Sequence, residues 1–313
     1  MEYITGTDDI HMKQECVVTF GKFDGVHRGH QKLISRVKKY AREGGYASVM
    51  FSFDVSPLIR IGNRTTQTIL TNAEREYCVE HMGVDYLIEY PFTRKVIEME
   101  PENFVREILC EKLQAAHVVV GPDFCFGHER RGNVAMLKQL GPRYGFTVDV
   151  VEKEKEQGRE ISSTFVREEL QRGNMELVNN LLGYPYFVIG TVVHGRQLGR
   201  TMGLPTINQI PDSGKLLPPR GVYVSKTYIE GKKYHGITNI GCKPTVEGAF
   251  VGVETYLFDC NENLYEKEAQ VTLLSYQRPE QKFSSVEELR AQILKDEQTG
   301  RNYFSRKTEH RKK

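Results

Sequence analysis

The sequence changes its pattern near residue 184, and this change limits the possible folds more than any other feature. Before it, short apolar runs rich in β-branched residues alternate with amphipathic helical patterns. After it, short alternating strands follow one another, separated by Gly, Pro and Asn turns. At 313 residues the chain is also longer than one hydrophobic core usually supports. We therefore predict two domains, residues 1–183 and 184–306, followed by a charged tail at 307–313.

The first half has the pattern of an α/β domain, in which crossover helices connect the strands of a parallel sheet. Strands are predicted at residues 16–20, 47–53, 84–91, 116–121 and 146–152. Helices are predicted at residues 29–45, 71–83, 101–113 and 133–145, with Thr71 or Asn72 capping the second. The charged segment 153–160 is predicted to be a solvated loop. Residues 162–183 are predicted to form two helices hinged at Gly173.

The second half predicts a small closed or half-closed β-barrel. Strands are expected at residues 186–193, 221–229, 232–241, 251–259 and 268–276. An amphipathic helix at 285–304 is expected to cover part of this barrel, and the charged residues after it are expected to fray.

The charge balance gives no reason to expect nucleic acid or a membrane as a partner. The 43 Lys and Arg residues against 41 Asp and Glu leave a net charge of +2, so no global field would attract either polyanion. The N-terminal residues lack the basic-then-apolar pattern of a signal peptide, and no apolar run approaches the roughly 20 residues of a membrane span. Six cysteines occur without a C-x-x-C pair, which disfavours a zinc ribbon and a redox motif. We expect a cytoplasmic protein with reduced thiols.

The segment TFGKFDGVHRGHQKLI contains the first candidate site. His27 and His30 are spaced to share one face of the helix that follows a strand. A tightly bent backbone before this helix is indicated by three glycines, Gly21, Gly25 and Gly29. Helix N-termini at the carboxyl edge of a parallel sheet bind anions, and imidazoles donate hydrogen bonds to phosphoryl oxygens. The pattern therefore favours nucleotide binding.

Two other interpretations of the histidines stay open at this point. The H-x-x-H spacing could supply two ligands of a metal ion, although no further ligand is spaced nearby. The histidines could also be structural. The phosphate-binding patterns G-x-x-x-x-G-K-[ST] and G-x-G-x-x-G are both missing from the sequence.

The segment GKFDGVHRGHQ resembles the H-x-G-H signature of the nucleotidylyltransferase superfamily, and its Gly-Phe-Asp-Gly-Val-His pattern resembles the FAD synthetase branch. Two later stretches are similar to that branch in the same order: VVVGPDFCFGHERRGN at 118–133 and ISSTFVREEL at 161–170. The resemblance implies a Rossmann-like sheet. It also implies transfer of AMP from ATP onto the phosphate of FMN, with release of pyrophosphate.

The same resemblance implies roles for residues of the first domain. It assigns catalysis to His27, His30 and Arg167. Phe124 and Phe126 would pack against the flavin ring, although each alone could equally be ordinary core. The other residues expected to bind nucleotide or flavin are Gly21, Phe23, Asp24, Gly25, Asp123, Ser162, Ser163 and Thr164. Ser-Ser-Thr by itself could equally be a helix cap.

The chain departs from the family pattern in two places. Val55 and Ser56 stand where the family commonly has Pro and His, and Phe165 stands where an Arg often follows Ser-Ser-Thr. Two polar or cationic groups are therefore missing from the expected adenylyl-transfer pocket.

The segment HGRQLGRTMGLPTIN contains the second candidate site. Its glycines would let backbone N–H groups turn toward phosphates, and a Thr hydroxyl with an Asn carbonyl oxygen offers hard ligands for Mg²⁺. A glycine-rich barrel turn without a ligand is the alternative. GRTMGLPTIN is similar to the G-R-x-x-G-x-P-T-A-N signature of riboflavin kinases, with Ile207 in place of Ala, and later blocks of that family match in order.

This second resemblance implies a six-stranded barrel that moves the ATP γ-phosphate onto the 5′-hydroxyl of riboflavin. Thr206 and Asn208 would hold Mg²⁺ and phosphates. Glu254 would be the general base, because a primary alcohol is a poor nucleophile until its proton is removed. A solvent-facing Glu254 is the alternative. The remaining nucleotide contacts expected from the match are Gly195, Arg200 and Gly203.

The sequence thus predicts a bifunctional enzyme of flavin cofactor synthesis. Riboflavin, FMN and ATP would be its substrates, FMN and FAD its products, and Mg²⁺ its cofactor. One rival is a riboflavin kinase whose first domain binds nucleotide or flavin without turnover. Another is a flavin-sensing or RNA-binding regulator, which the near-zero net charge disfavours. The sequence carries no prediction of oligomeric state.

Overall fold

The computed structural model describes residues 1–54, 67–195, 203–245 and 248–310, and the chain forms two compact units, residues 1–163 and 164–313. The units divide before the domain boundary predicted near 183. The reason is that the helices before 183 pack with the second unit, where the Asn179 side chain donates to the Leu273 carbonyl (3.0 Å) and accepts from the Tyr186 amide (2.7 Å). The boundary between functional domains stays a prediction.

The first unit is built on a six-stranded, all-parallel sheet with the order β1-β4-β3-β2-β5-β8. Its strands are β1 (Glu2–Thr5), β2 (Cys16–Phe20), β3 (Ala47–Phe53), β4 (Tyr86–Tyr90), β5 (Ala115–Val120) and β8 (Thr147–Val150). Two short hairpins add β6 (Cys125–Phe126), β7 (Gly132–Asn133), β9 (Lys155–Glu156) and β10 (Arg159–Glu160). The helices are α1 (Arg28–Gly44), α2 (Asn72–His81), α3 (Arg94–Ile97), α4 (Pro101–Asn103), which continues as a π-helix (Phe104–Lys112), and α5 (Val134–Tyr144).

Helices cover both faces of this sheet, which is why its central strands are largely buried and mostly apolar on both faces. All five residues of β2 are buried. Val17 packs with Val37 and Ala41 of α1 on one face. Val18 belongs to the core on the other face, which includes side chains of the π-helix and α5. Alternate residues of one strand thus enter two cores, as a parallel sheet requires.

The strand order reverses beside β2. From β2 the chain passes through α1 to β3 on one side, whereas β5 pairs with the other side of β2. Ligands of open parallel sheets bind beyond the carboxyl ends of the strands at such a reversal. The relevant positions here are the turn after Phe20 and the loop after Val120.

Several details of this unit differ from the sequence-based expectation, among them the unpredicted β6–β7 hairpin and the short helix α3. The short edge strand β1 was not predicted. Residues 104–112 form a π-helix instead of an ordinary α-helix. The predicted loop at 153–160 is wrong, because residues 155–160 form the β9–β10 hairpin, whose turn residues Gln157 (φ 50°) and Gly158 (φ 79°) both have left-handed backbone angles that suit a two-residue turn.

The helices α6 (Ser163–Arg172), whose first residue still belongs to the first unit, and α7 (Met175–Leu182) precede the second sheet, which confirms two helices separated at Gly173. A six-stranded antiparallel sheet follows, with the order β11-β16-β13-β14-β15-β12. Its strands are β11 (Phe187–Thr191), β12 (Thr206–Gln209), β13 (Gly221–Ile229), β14 (Lys232–Thr245), β15 (Gly248–Leu257) and β16 (Glu268–Pro279). The α/β fold of the first half and the six-stranded barrel of the second half are therefore confirmed.

The two terminal strands of this sheet are joined to each other, so that the sheet closes into a barrel. The Val193 amide donates to the Asn208 carbonyl (2.8 Å) across a single antiparallel bridge. The buried Gln209 side chain donates to the carbonyls of Gly190 (2.8 Å) and Ala269 (2.7 Å), which lie on β11 and β16. One side chain thus ties three strands together at the seam.

The last helix, α8 (Val286–His310), covers the outer face of the barrel and runs further than its predicted end at 304. Its Phe304 packs with Ile237 of β14 and with Phe258, the residue that follows β15. Arg278 of β16 pairs with Asp296 of α8 at 2.6 Å, with both side chains largely buried. Within the described parts of the chain, no helix is both long and apolar enough to cross a membrane.

Candidate active sites

The turn after β2 is held in a strained left-handed conformation. Phe23 (φ 50°), Gly25 (φ 83°) and Val26 (φ 35°) all have positive φ angles, and the side chains of Phe23 and Val26 are fully buried. Residues other than glycine adopt such angles at a cost that the surrounding structure must offset. Gly21 has a different reason to be glycine, because a Cβ there would lie 3.2 Å from the Phe23 ring.

Hydrogen bonds from three directions fix this turn. Asp24 Oδ1 accepts from the Ile69 amide (2.8 Å), and the Asp24 carbonyl accepts from Ser163 Oγ (2.8 Å). Arg75 donates to the Lys22 carbonyl (3.3 Å) and forms a buried ion pair with Glu89 of β4. Asp24 and Ser163, both predicted to bind ligand, thus also hold the loop. Sequence reasoning missed the Arg75–Glu89 pair, for which the helical and strand patterns give no signal.

The two histidines come together at the start of α1. His27 is the N-cap residue of the helix, without a side-chain capping bond, and only 5% of it is exposed. The rings of His27 and His30 are stacked with their centroids 3.7 Å apart and an interplanar angle of 17°. Gly29 makes this arrangement possible, because a Cβ there would lie 3.2 Å from the His27 ring.

Burial keeps both imidazoles neutral at pH 7. It lowers the pKa of His27 to about 4, against a smaller opposite effect of the Asp24 carboxylate. Burial and the neighbouring His27 together hold the pKa of His30 well below its ordinary value. The Nδ1 atoms of both rings are buried without a hydrogen-bond partner in the described structure. Such atoms are costly unless a bound group satisfies them.

The metal interpretation of the H-x-x-H spacing finds no support in this geometry. Stacked parallel rings do not direct their nitrogens at one shared point. Among the residues that the structure describes, no group of three or more His, Cys, Asp or Glu side chains is placed to hold a metal ion.

The loop after β5 contributes aromatic side chains beside the end of β2. Phe124 packs against Phe20 with ring centroids 5.8 Å apart, and it stacks on Phe126 at 5.7 Å. Phe126 is itself part of the core, whereas Phe124 is only half-buried. Asp123 on the same loop pairs with Lys153 at 3.0 Å. The structure thus brings the loop of Phe124 to the strand end that leads to the two histidines, and Phe124 is the ring with accessible surface.

The Ser-Ser-Thr segment lies where the chain passes from the first unit, which ends at Ser163, to the second. Ser163 is the first residue of α6, and Thr164 is exposed. Phe165 is buried, so the residue that stands in place of the family's Arg is a core side chain. Arg167 lies one turn along α6, in the second unit. The binding and catalytic roles expected for Ser162, Thr164 and Arg167 stay predictions.

The second candidate site lies on the outer face of the barrel, on neighbouring strands β12, β15 and β14. Thr206 Oγ1 donates to Glu254 Oε1 at 2.9 Å. Asn208 lies directly opposite Glu254 across β12 and β15, and Asn239 lies opposite it on β14. Residues opposite each other in an antiparallel pair share a face. Glu254 is therefore flanked by polar side chains on both sides, of which sequence reasoning missed Asn239.

An open cleft of about 590 Å³, mouth included, adjoins Thr206 and Asn208. Its lining includes Gly195, Thr206 and Asn208, three of the residues predicted to bind nucleotide, together with Asn263 and Tyr265. A Cβ at Gly195 would lie 2.5 Å from Asn208 Nδ2, so a glycine is required for Asn208 to keep its position.

Gly203 has a left-handed backbone (φ 72°) that suits glycine, and its predicted contact with nucleotide stays a prediction. Arg200, Val55 and Ser56 lie outside the described residues.

Comparison with known protein families identifies both halves of the chain. The FAD synthetase family model matches residues 9–165, and the riboflavin kinase family model matches residues 182–304. A chain with these two domains is a transferase of phosphorus-containing groups. Both domains being present supports the bifunctional interpretation over a kinase with a non-catalytic first domain.

Relatives match over nearly the full length. The bifunctional riboflavin kinase/FMN adenylyltransferase of Escherichia coli strain K12 is 36% identical over 97% of this chain and 98% of its own length. The protein of that name from Bacillus subtilis strain 168 is 36% identical over 93% of each chain. The chain therefore belongs to the family of bifunctional riboflavin kinase/FMN adenylyltransferases.

A solved structure shares the fold across both units. The crystal structure of a Streptococcus pneumoniae protein described as a macrolide-efflux protein has 31% sequence identity and a TM-score of 0.84, covering 96% of this chain and 98% of its own.

Proposed function

We propose that the second unit phosphorylates riboflavin to FMN and that the first unit adenylylates FMN to FAD, each with ATP. The observation that supports this most strongly is the Thr206–Glu254 hydrogen bond beside a cleft that Asn208 lines. It joins the Glu254 carboxylate to Thr206 of the riboflavin kinase signature, and Asn208 of the same signature lies opposite Glu254 on the neighbouring strand.

In the kinase reaction Glu254 acts as the general base. Its carboxylate takes the proton of the riboflavin 5′-hydroxyl while that oxygen bonds to the γ-phosphorus of ATP and the bond to ADP breaks. The Thr206 hydroxyl orients Glu254 by donating to one of its oxygens. Asn239, opposite Glu254 on the other side, completes a polar row that faces the substrate alcohol.

Thr206 and Asn208 also fit a site for Mg²⁺. Thr206 Oγ1 donates a hydrogen bond to Glu254, which leaves the lone pairs of the hydroxyl oxygen available, and the Asn208 side chain offers a carbonyl oxygen. Mg²⁺ prefers such oxygen ligands, keeps several waters and binds through substrate phosphates rather than in a cage of protein carboxylates. The ion would neutralise charge on the phosphate chain.

In the adenylyl reaction a phosphate oxygen of FMN attacks the α-phosphorus of ATP, and pyrophosphate leaves. The backbone N–H groups at the start of α1 bind the phosphate chain. His27 and His30, both neutral, donate hydrogen bonds to the oxygens on which negative charge grows. Phe124 packs against the flavin ring. Further contacts are proposed for Gly21, Phe23, Asp24, Gly25, Asp123, Phe126, Ser162, Ser163, Thr164 and Arg167.

The test is to incubate the purified protein with riboflavin, ATP and Mg²⁺ and to separate the flavins by chromatography. We expect both FMN and FAD. FMN alone would support a kinase whose first unit does not turn over, and unchanged riboflavin would contradict both activities.

Two variants assign each reaction to its site. Glu254→Ala is expected to abolish FMN formation and to leave FAD formation from supplied FMN, and His30→Ala is expected to do the reverse. Glu268→Ala and His81→Ala, which change exposed residues of the same types, are the controls. If either site variant reduced both activities equally, the division of the reactions between the units would be wrong.

A further inference from the structure

The β9–β10 hairpin is attached to the first turn of α1 by charged side chains. Arg28, the first residue of α1, donates from Nε to Glu154 Oε1 (2.8 Å) and from Nη1 to Glu156 Oε2 (2.8 Å). All three side chains are about three-quarters buried, with 27%, 29% and 23% exposed. One turn further along α1, Lys32 donates to the Glu152 carbonyl (2.7 Å). The contacts join parts of the chain that are 120 to 128 residues apart.

The same segment also reaches the loop after β5. Lys153 pairs with Asp123 of that loop at 3.0 Å and with Glu160 of the hairpin at 2.9 Å. Residues 152–160 therefore connect the start of α1, which carries the two histidines, with the loop that carries Phe124. A relative movement of these two parts of the first unit would have to break ion pairs on one side or the other.

Arg28 occupies a position that is electrostatically unfavourable for a cation. A cation in the first turn of a helix is unfavourable, because the N-terminus already carries partial positive charge. Two carboxylates stand next to it, and in the absence of Arg28 they would repel any polyanion that binds at the same helix start. Arg28 compensates this negative charge directly, through hydrogen bonds to both carboxylates.

We propose that Arg28 is a positioning residue for adenylyl transfer, which neutralises Glu154 and Glu156 and fixes the hairpin so that the triphosphate can approach the start of α1. This inference rests on the proposed adenylylation at that site. Arg28 itself does not contact the reacting atoms; it acts through the charge and position of its two partners.

The test compares four proteins in FAD formation from FMN at varied ATP concentration: the unaltered protein, Arg28→Gln, the double variant Glu154→Gln/Glu156→Gln, and the triple variant. Arg28→Gln leaves two uncompensated carboxylates, so the KM for ATP is expected to rise about tenfold at low ionic strength, with a much smaller change in kcat. The rise is expected to shrink in added salt, which screens charges.

The triple variant distinguishes an effect of the uncompensated Glu154 and Glu156 charges from a loss of structural support by the Arg28 side chain. Removing both carboxylates from the Arg28→Gln protein is expected to return the KM for ATP to within about twofold of the original value, since the repulsion is gone. Arg28→Lys keeps the charge but loses the two-pronged hydrogen bonding, and an intermediate KM is expected. Lys39→Gln, which removes an exposed cation paired with Glu43 on the same helix, is the matched control and should change nothing.

The outcomes distinguish this inference from the function on which it rests. If the unaltered protein makes no FAD, the proposed adenylylation fails and the inference fails with it. If the unaltered protein makes FAD but the triple variant stays as impaired as Arg28→Gln, or Arg28→Gln keeps its KM for ATP, only the inference is overturned. Riboflavin kinase activity, measured in parallel, should be unchanged in all variants.

Discussion

At the level of single side chains, Gly29 shows how the lack of one Cβ sets the position of a candidate catalytic group. A methyl group at this position would lie 3.2 Å from the His27 ring and force it to move. Gly29→Ala is therefore expected to lower FAD formation about tenfold or more, because small displacements of catalytic groups are costly. Its unfolding free energy should stay the same or rise slightly, since Ala is the better helix former. FAD assays and urea titrations measure the two effects.

Ser35→Ala provides the comparison, since it changes an exposed position on the same helix. It should leave FAD formation unchanged and, like Gly29→Ala, keep or slightly raise the unfolding free energy, because Ala is also a better helix former than Ser. A Gly29→Ala protein that formed FAD at the original rate would show that the stacking of the two histidines does not matter for the reaction.

The depressed pKa of His27 makes the stability of the first unit depend on pH. The ordinary histidine pKa is 6.5, and burial lowers that of folded His27 to about 4. Between these values the unfolded chain binds a proton that the folded chain does not, so stability falls as pH decreases from about 6.5 to 4. The loss from His27 should reach roughly 2 to 3 kcal/mol at the lower end. Urea titrations at a series of pH values measure it.

His27→Asn should lose the part of this pH dependence that His27 contributes, because Asn does not titrate, and should keep the part that His30 contributes through its own lowered pKa. His11→Asn removes an exposed histidine and should keep the full dependence. Equal slopes of stability against pH for His27→Asn and the unaltered protein would mean that folding does not lower the pKa of His27.

At the level of helices and strands, the barrel seam depends on Gln209. Its amide nitrogen donates to two carbonyls on different strands, and the residue is 2% exposed. Gln209→Leu leaves buried carbonyls with fewer hydrogen bonds, which should destabilise the second unit by about 2 to 4 kcal/mol. Urea unfolding followed by circular dichroism would measure the loss, and riboflavin kinase activity should fall at temperatures near the new transition.

The first unit should not share in this loss, so FAD formation from supplied FMN is expected to continue. Gln298→Ala, which changes an exposed glutamine of α8, serves as the comparison and should leave stability unaltered. If Gln209→Leu unfolded at the same urea concentration as the unaltered protein, the Gln209 hydrogen bonds would contribute nothing to stability, and the Val193–Asn208 backbone bridge would be enough to close the seam.

Strands and helices with strong periodic patterns were predictable from the sequence. The apolar runs of β2 and β5 identified buried parallel strands. Thr71 was correctly identified as a possible cap, and it forms a capping box with Glu74. These elements were predictable because local propensity and tertiary packing favour the same structure.

The elements that were missed form for reasons that a hydrophobic pattern does not contain. β1 and β12 have four residues each, too few to show a period. The β9–β10 hairpin is made of charged residues and depends on a two-residue turn. A π-helix differs from an α-helix only in its hydrogen bonding, so the same apolar spacing fits both.

The candidate sites were predicted in composition but not in geometry. The motif placed His27 and His30 on one helix face, yet ring stacking and neutrality follow from burial, which only the fold provides. Likewise, Thr206 and Glu254 are 48 residues apart in sequence. Their hydrogen bond depends on β12 pairing with β15, and the family resemblance was the only advance indication that they act together.

At the level of the entire chain, the two candidate sites belong to different compact units. His30 lies in the first and Glu254 in the second. FMN made by one molecule should therefore be usable by another. A mixture of the Glu254→Ala and His30→Ala proteins is expected to convert riboflavin to FAD with a lag that shortens as protein concentration rises. Chromatography of the flavins over time measures this.

Each variant alone, given riboflavin, should fail to accumulate FAD, and this provides the baseline for the mixture. If the mixture also made no FAD while each variant kept its own half-reaction, FMN would have to pass between the sites of one molecule.

The closed seam of the barrel affects the tendency of the protein to aggregate. The open rim of a β-sheet offers a row of unpaired amides and carbonyls on which a neighbouring polypeptide can add a strand and start an aggregate. Here the two strands that would form such rims are bound to each other beside Val193, Asn208 and Gln209. The contacts of Val193 and Gln209 at the seam, which hold the strand of Asn208 beside the cleft, thus also leave less strand edge open to intermolecular β-sheet pairing.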